Sequence, residues 1–156
     1  MTDMFDFPQP DGLMPIHFIW HVGPTIVGAG HSRFQEYDAQ AGPPGADHHA
    51  ISTADAVALE ANLRGWWFDG VAIVRRVPAP IHLNSQIIEA NGLDEAVISD
   101  IPAGCLVSLQ GPLLRVRGQP ITAPTVTLTS TTPGQLRVWI ACPPPFQDWE
   151  GVIDAV

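Results

Sequence analysis

Proline and glycine restrict this chain more than any other residues, because they recur along nearly its whole length. The 156 residues include 16 Pro and 14 Gly, and proline is incompatible with the interior of a helix or a central strand. Short strands joined by turns suit such a sequence better than long helices. We therefore expect a mainly β chain, in which the hydrophobic residues, 46% of the total, supply a globular core.

The charge of the chain is acidic and unevenly distributed. Seven basic residues, all of them arginine, stand against 16 acidic residues, and the net charge is −9. The first 62 residues contain eight acids and one base, whereas residues 63–86 contain three arginines and one acid. Because phosphate backbones and anionic lipids attract clustered cations, we expect no nucleic-acid binding and no membrane insertion.

The segment 77–80 contains two prolines and is the best candidate for a domain boundary, since proline ends regular elements. Before it we expect an extended acidic arm over residues 1–15 and a small β-rich domain over residues 16–80. After it, Gly- and Pro-containing turns separate short apolar runs at roughly 8–12-residue spacing. This spacing predicts an Ig-like antiparallel β-sandwich over residues 81–156.

Three local patterns define the small β-rich domain. The apolar run 16–22 predicts a strand whose partner returns over residues 25–27. Ser52 begins a capping-box pattern, with an acid three residues later, and predicts the one short helix, over residues 52–63. The dipeptide Asp69-Gly70 lies between two apolar segments, which predicts a β-hairpin with a two-residue type I′ turn.

Five short strands are predicted in the sandwich, and their alternating pattern separates an inner from an outer face. Val138 and Ile140, for example, belong to an inner face. The five strands cover residues 95–99, 105–109, 113–116, 125–129 and 136–142.

The two cysteines, Cys105 and Cys142, fall on the inner faces of two predicted strands. Buried free thiols commonly occupy such positions and behave as small hydrophobic groups. A disulfide is the alternative if the two strands are neighbours, although a cytoplasmic origin favours reduced thiols. No basic residue adjoins either cysteine in sequence, so we expect neither to act as a nucleophile.

The densest cluster of potential metal ligands is Asp47-His48-His49, at the end of a Gly/Pro-rich segment, residues 39–48, that indicates a loop. No Cys/His spacing of a zinc site and no phosphate-binding or nucleophile motif accompanies it. We therefore expect no catalytic residue, no metal and no cofactor. The alternative is a metal-dependent hydrolase that uses Asp47, His48 and His49.

The aromatic residues point to a binding surface. Trp139 has the strand parity of Arg137, opposite the inner-face residues, and is expected on the outer surface. Trp66 and Trp67 are adjacent, so one of them faces away from its core, and Trp149 follows a run of prolines. Exposed Trp and Arg are enriched at protein interfaces, and Trp also stacks on sugar rings. These five residues are the candidate protein or glycan interface.

Two segments resemble small structural proteins of tailed bacteriophages. Residues 65–78 (GWWFDGVAIVRRVP) resemble the aromatic–Asp-Gly–hydrophobic–Arg-Pro hairpin of tail-fibre-associated and tail-assembly proteins. Residues 101–107 (IPAGCLV) and 132–139 (TPGQLRVW) are similar to the strand openings of PEGA-like and Ig-like β modules. No catalytic residues come with this resemblance.

The resemblance implies a non-enzymatic structural component of a virion, in the tail as a fibre, baseplate or tail-attachment protein. It also implies assembly in the host cytoplasm, homo-oligomers and contacts with other virion proteins. The alternative from another class is a carbohydrate- or host-receptor-binding β-sandwich module. Its partner is a host-surface glycan, with Trp139, Trp149 and one of Trp66 and Trp67 as the stacking platform.

Overall fold

The computed structural model describes residues 15–33 and 42–156. The acidic arm expected over residues 1–15 lies outside the described residues, apart from Pro15, which begins the first strand. The described residues form thirteen strands and one α-helix, which confirms the prediction of a mainly β chain. The chain divides into two compact units, the first ending at Arg75 and the second beginning at Arg76.

A three-stranded antiparallel sheet, one helix and one hairpin make up the first unit. Strand β1 (Pro15–Val22) lies in the centre of the sheet and pairs on its two sides with β2 (Thr25–Arg33) and β3 (Asp47–Ile51). The later elements are α1 (Thr53–Ala61), β4 (Trp66–Phe68) and β5 (Ile73–Arg75). Strand β1 and its return in β2 confirm the first predicted strand pair.

Strand β2 continues well beyond the predicted return at residues 25–27, although its glycines would by composition favour a turn. Gly28 pairs with Trp20, and Gly30 pairs with Phe18. A Cβ atom at Gly28 would lie 2.9 Å from Cε3 of Trp20, and one at Gly30 would lie 3.0 Å from Cζ of Phe18. The aromatic rings of β1 therefore lie against the backbone of β2, where glycine leaves room for them.

The predicted helix forms, and Ser52 caps it. Ser52 Oγ accepts a hydrogen bond from the backbone N–H of Asp55 at 3.1 Å and donates one to Asp55 Oδ2 at 2.8 Å. The helix ends at Ala61, because Asn62 leaves the helical conformation with φ −161°. The Asn62 side chain then accepts a hydrogen bond from the N–H of Gly65, and this closes a 3-10 turn. The buried core of this unit joins the sheet, α1 and the hairpin through Ile19, Ile26, Leu59 and Phe68.

The hairpin of β4 and β5 is confirmed, but the prediction of a two-residue type I′ turn is wrong. Its loop is residues 69–72, and of the Asp69-Gly70 pair only Gly70 has a positive φ, +104°. Asp69 Oδ1 accepts hydrogen bonds from the backbone N–H groups of Val71 and Ala72, each at 2.8 Å. These bonds, the one from Ala72 first, lower the pKa of Asp69 below its usual value. The carboxylate thus closes a wider loop than the sequence pattern predicts.

Two sheets form the second unit. Its strands, in chain order, are β6 (His82–Leu83), β7 (Ile87–Ile88), β8 (Ala96–Ser99), β9 (Leu106–Gln110), β10 (Arg115–Pro120), β11 (Val126–Leu128), β12 (Gly134–Ala141) and β13 (Trp149–Ala155). The larger sheet has the order β10-β9-β12-β13-β7, and the smaller has the order β11-β8-β6. Residues from both sheets share one buried hydrophobic cluster, which is the arrangement of a sandwich.

All five strands predicted in this unit have counterparts, with ends that differ by a few residues. One pairing departs from the antiparallel pattern, because β7 runs parallel to β13. Strand β13 was not predicted, since it follows directly on the proline-rich segment before Trp149 and carries Gly151 in its middle. Its inner residue Ile153 is nevertheless fully buried, as are Val138 and Ile140 of β12.

The segment 77–80, predicted as the domain boundary, begins two residues after the division between the units. Val77 donates its backbone N–H to Pro145 O at 2.9 Å and accepts a hydrogen bond from the N–H of Gln147 at 2.7 Å. The side chain of Arg76 also donates to Phe146 O. These bonds attach the start of the second unit to its own proline-rich loop.

Replacing Gly70 by Val is expected to lower the free energy of unfolding of the first unit by about 1–3 kcal/mol, the usual cost of backbone strain. No atom lies within 4 Å of a Cβ placed there, so the cost comes from the positive φ alone. Urea unfolding followed by circular dichroism measures it. Val71→Thr, at the exposed neighbouring position, is the control, and an unchanged midpoint for Gly70→Val would contradict the loop geometry.

Candidate functional site

Two of the predicted interface residues, Arg137 and Trp139, lie on the outer face of the larger sheet of the second unit. On this face the side chains point away from the core, and it is formed by strands β10, β9, β12 and β13. Gln110 of β9 is in register with Arg115 on one side and with Arg137 on the other. At the position two residues further along the strands, Trp139 of β12 lies between Ser108 of β9 and Glu150 of β13. We refer to these as the arginine row (Arg115, Gln110, Arg137) and the tryptophan row (Ser108, Trp139, Glu150).

A groove of about 240 Å³ crosses both rows, and its lining includes Arg115, Arg117 and Trp139. Both arginines are exposed, and neither guanidinium group has a hydrogen bond or ion pair with another described residue. Strands in a sheet lie about 4.8 Å apart, so Arg137 lies about 10 Å from Arg115 across the sheet. Three cations on one face are a local excess of positive charge in a chain of net charge −9.

A β-bulge in β10 includes the second arginine of this groove, Arg117. Val116 pairs with Leu109, but the next paired residue of β10 is Gln119, so Arg117 and Gly118 together stand opposite Ser108. The N–H of Gly118 donates to Ser108 Oγ at 3.0 Å, and its φ of +58° is one that glycine adopts readily. Arg115 and Arg117 line one groove because residues two apart in a strand point to the same face, and the bulge leaves Arg117 in that position.

The Arg137 side chain is oriented by its neighbours on the outer face. Its Nε donates to Gln135 Oε1 at 3.0 Å, and Gln135 Nε2 donates to Asp154 Oδ1 at 3.2 Å. This chain of bonds uses the Nε–H of Arg137. Its two terminal NH₂ groups are the donors that bind a carboxylate in two-point contacts.

Trp149 lies on the other side of the same sheet. It is paired with the buried Ile140, its ring contacts Gly151, and it packs against the hydrophobic core. Trp139 and Trp149 therefore lie on opposite faces, and the stacking platform expected to contain both is not formed. Trp149 instead covers part of the core.

Trp66 and Trp67 lie in β4 of the first unit and also point to opposite sides of their hairpin. Trp66, paired with Arg75, packs against the buried cluster of that unit. Trp67 is paired with Val74 and has a buried Nε1–H that lacks a hydrogen-bond partner in the described part of the chain. One of the two side chains thus joins a core, as the sequence predicts.

The cluster Asp47-His48-His49 begins strand β3, so the prediction that residues 39–48 form a loop is wrong at Asp47 and His48; residues 39–41 lie outside the described residues. In a strand, His48 points to the face opposite the other two. The His49 ring packs 4.7 Å from the ring of Phe68. Within residues 15–33 and 42–156, no group of three or more His, Cys, Asp or Glu side chains has the arrangement of a metal site.

The two cysteines are neighbours in the core of the second unit. Cys105 Sγ and Cys142 Sγ lie 3.0 Å apart, and both thiols are free and buried. Burial, followed by the contact with Cys105, raises the pKa of Cys142 to about 12. Cys142 is therefore protonated at neutral pH, which is the opposite of what a nucleophilic cysteine requires.

Comparison with known proteins gives no relative: no family model, no curated protein and no solved structure matches the chain. Among the described residues, no helix is long and apolar enough to cross a membrane. The candidate site is the outer face, on the grounds of its geometry and charge. The sequence pattern singled out Arg137 and Trp139, but it missed Arg115 and Arg117, because only the strand order β10-β9-β12 brings them to the same groove as Trp139.

The substitutions Trp139→Ala and Trp149→Ala are expected to differ in their effect on stability, because one side chain lies on the surface and the other packs on the core. Trp149→Ala opens the hydrophobic cluster and should lower the free energy of unfolding by about 3–5 kcal/mol, as truncations of core aromatic residues do. Trp139→Ala leaves the inner face intact and should cost roughly 1 kcal/mol or less. Chemical denaturation measures both, and a larger loss for Trp139→Ala would place that side chain in the core.

Thiol labelling is expected to distinguish the folded from the unfolded protein. A maleimide or iodoacetamide reagent should react slowly with the native chain, because Cys105 and Cys142 are buried and Cys142 is protonated. After denaturation of protein freshly made in a reducing cytoplasm, two thiols should react. Finding none without added reductant would instead indicate a Cys105–Cys142 disulfide.

Proposed function

We propose that the chain is a non-enzymatic structural component of a tailed-phage virion, in its tail, that acts through protein–protein interfaces. The observation that carries this proposal is the outer face, where Trp139 lines a groove together with Arg115 and Arg117, whose guanidinium groups have no partner among the described residues. Arginine and tryptophan are the residues most enriched at interface hot spots. The partners are other virion proteins, and assembly takes place in the host cytoplasm.

The two segments that resemble phage proteins support this proposal through their positions in the fold. Residues 65–78 include the hairpin of β4 and β5, and residues 101–107 lead into β9. Residues 132–139, the later part of the second segment, open β12 and end at Trp139. Strands β9 and β12 display part of the outer face, whereas the hairpin belongs to the first unit.

The charge of the outer face indicates the chemistry of its partner. Two exposed guanidinium groups that lack partners within the described residues are ready to bind carboxylates without first breaking internal bonds. Bringing cations together on one face is unfavourable until an anionic group neutralises them. We infer that the partner surface contributes aspartate or glutamate side chains to these guanidinium groups and also contacts Trp139.

Immunogold labelling of virus particles induced from the source organism tests the function. An antibody to this chain is expected to label intact particles at one fixed position on the tail, as seen in negative stain. The same antibody preabsorbed with the purified chain, which should leave the particles unlabelled, is the control for antibody specificity. Unlabelled particles from a preparation known to contain the expressed protein would overturn the virion proposal.

A second candidate function is carbohydrate binding, which the polar groups around Trp139 favour. Ser108 and Gln110 border the groove beside the ring and the arginines, and aromatic rings with nearby hydrogen-bond donors are typical of sugar contacts. An acidic glycan would then change the tryptophan fluorescence of the wild-type protein and leave that of Trp139→Ala unchanged. A fluorescence change only on mixing with virion proteins favours the structural role.

A further inference from the structure

The outer face has opposite charges on its two sides. Arg115 and Arg117 belong to β10, at one edge of the larger sheet. Glu150 and Asp154 belong to β13, three strands away. All four side chains are exposed, so the face is cationic along β10 and acidic along β13.

Apolar side chains lie among the polar residues Ser108, Gln110 and Arg137 in the middle of the face. Trp139 of β12 is one of these apolar side chains, and Val152 of β13 is in register with Arg137 next to it. Leu106 of β9 and Ala141 of β12 form the neighbouring cross-strand pair on the same face, and Leu106 is 41% exposed. An apolar centre with charged residues around it is the usual composition of a protein–protein interface.

We propose that this face binds the same face of a second copy of the chain, about a two-fold axis that runs parallel to the strands between β9 and β12. The proposal rests on the proposed function in that both use the outer face as a protein interface. The partner of the outer face is a second copy of the chain, because the face is complementary to itself in charge.

The strand order makes the two-fold arrangement specific. A rotation about an axis between β9 and β12 places each β10 over the partner copy's β13, and each β9 over the partner copy's β12. The rotation does not change the position of a residue along the strand direction. At the level of the tryptophan row, Arg117 of one copy therefore faces Glu150 of the second copy, and Trp139 faces Ser108.

The lengths of the side chains fit such a contact. Sheets that pack face to face lie about 10 Å apart, and extended arginine and glutamate side chains span roughly this distance between them. Neither the Arg117 guanidinium group nor the Glu150 carboxylate has a hydrogen bond or ion pair with another described residue, so neither group must give up a partner to form the pair. Two symmetric Arg117–Glu150 contacts result, as an isologous interface requires.

A charge exchange tests the proposal directly. The wild-type chain is expected to sediment as a dimer whose fraction rises with protein concentration. Arg117→Glu makes both contacts acidic and Glu150→Arg makes both basic, so each variant alone should show a dissociation constant raised roughly tenfold or more. An equimolar mixture of the two variants should recover the dimer, because each contact again joins an arginine and a glutamate.

Matched controls come from the first unit. Arg64 and Glu60 are exposed and lie outside the sandwich, so Arg64→Glu and Glu60→Arg should sediment like the wild type. Circular dichroism and thermal unfolding of all four variants confirm that they are folded. Trp139→Ala should also weaken the dimer, because it removes the apolar centre of the interface.

Three results would overturn the dimer proposal. They are a wild-type chain that stays monomeric at every concentration, charge variants that associate like the wild type, and a mixture that fails to recover the dimer. None of these results bears on immunogold labelling, which tests the virion role with native particles. A monomer that still labels the tail would retain the proposed function and assign the outer face to a different virion protein.

Discussion

The pairing of β12 with β9 on one side and β13 on the other is the interaction on which the second unit depends. Val138 and Ile140 of β12 are fully buried, and they hold the larger sheet against the shared core. Because side chains alternate along a strand, the same pairing directs Arg137 and Trp139 to the outer face. A one-residue shift of register would exchange the two sets and would expose the core.

Glycine contributes to this fold through two physical effects, by leaving space for a ring and by adopting a positive φ. In β2, Gly28 leaves space for the ring of Trp20. In β10, Gly118 adopts the positive φ of the bulge and donates to Ser108. In the hairpin loop, Gly70 has a positive φ while the Asp69 carboxylate supplies the hydrogen bonds. Each of these glycines would be a turn residue by composition, but only one of them lies in a hairpin loop.

The distribution of charge gives the outer face its character. The chain as a whole is acidic, so two arginines beside a tryptophan, with no partner among residues 15–33 and 42–156, are a local exception. Glu150 and Asp154 of the same face lie on β13, three strands away, and Asp154 accepts a side-chain hydrogen bond from Gln135. A face with a cationic side and an acidic side suits a partner with the opposite arrangement, and the proposed second copy has it.

Composition and alternation by themselves determined the mainly β class, the capped helix after Ser52, the hairpin of β4 and β5 and the outward position of Trp139. Each follows from local chemistry: proline spacing, a hydroxyl three residues before an acid, an Asp-Gly pair, or the two-residue period of a strand. Tertiary structure alone decided that β13 enters the larger sheet, that Trp149 covers the core and that Arg115 and Arg117 line one groove with Trp139. These depend on which strands become neighbours, which is set by packing between residues far apart in the chain.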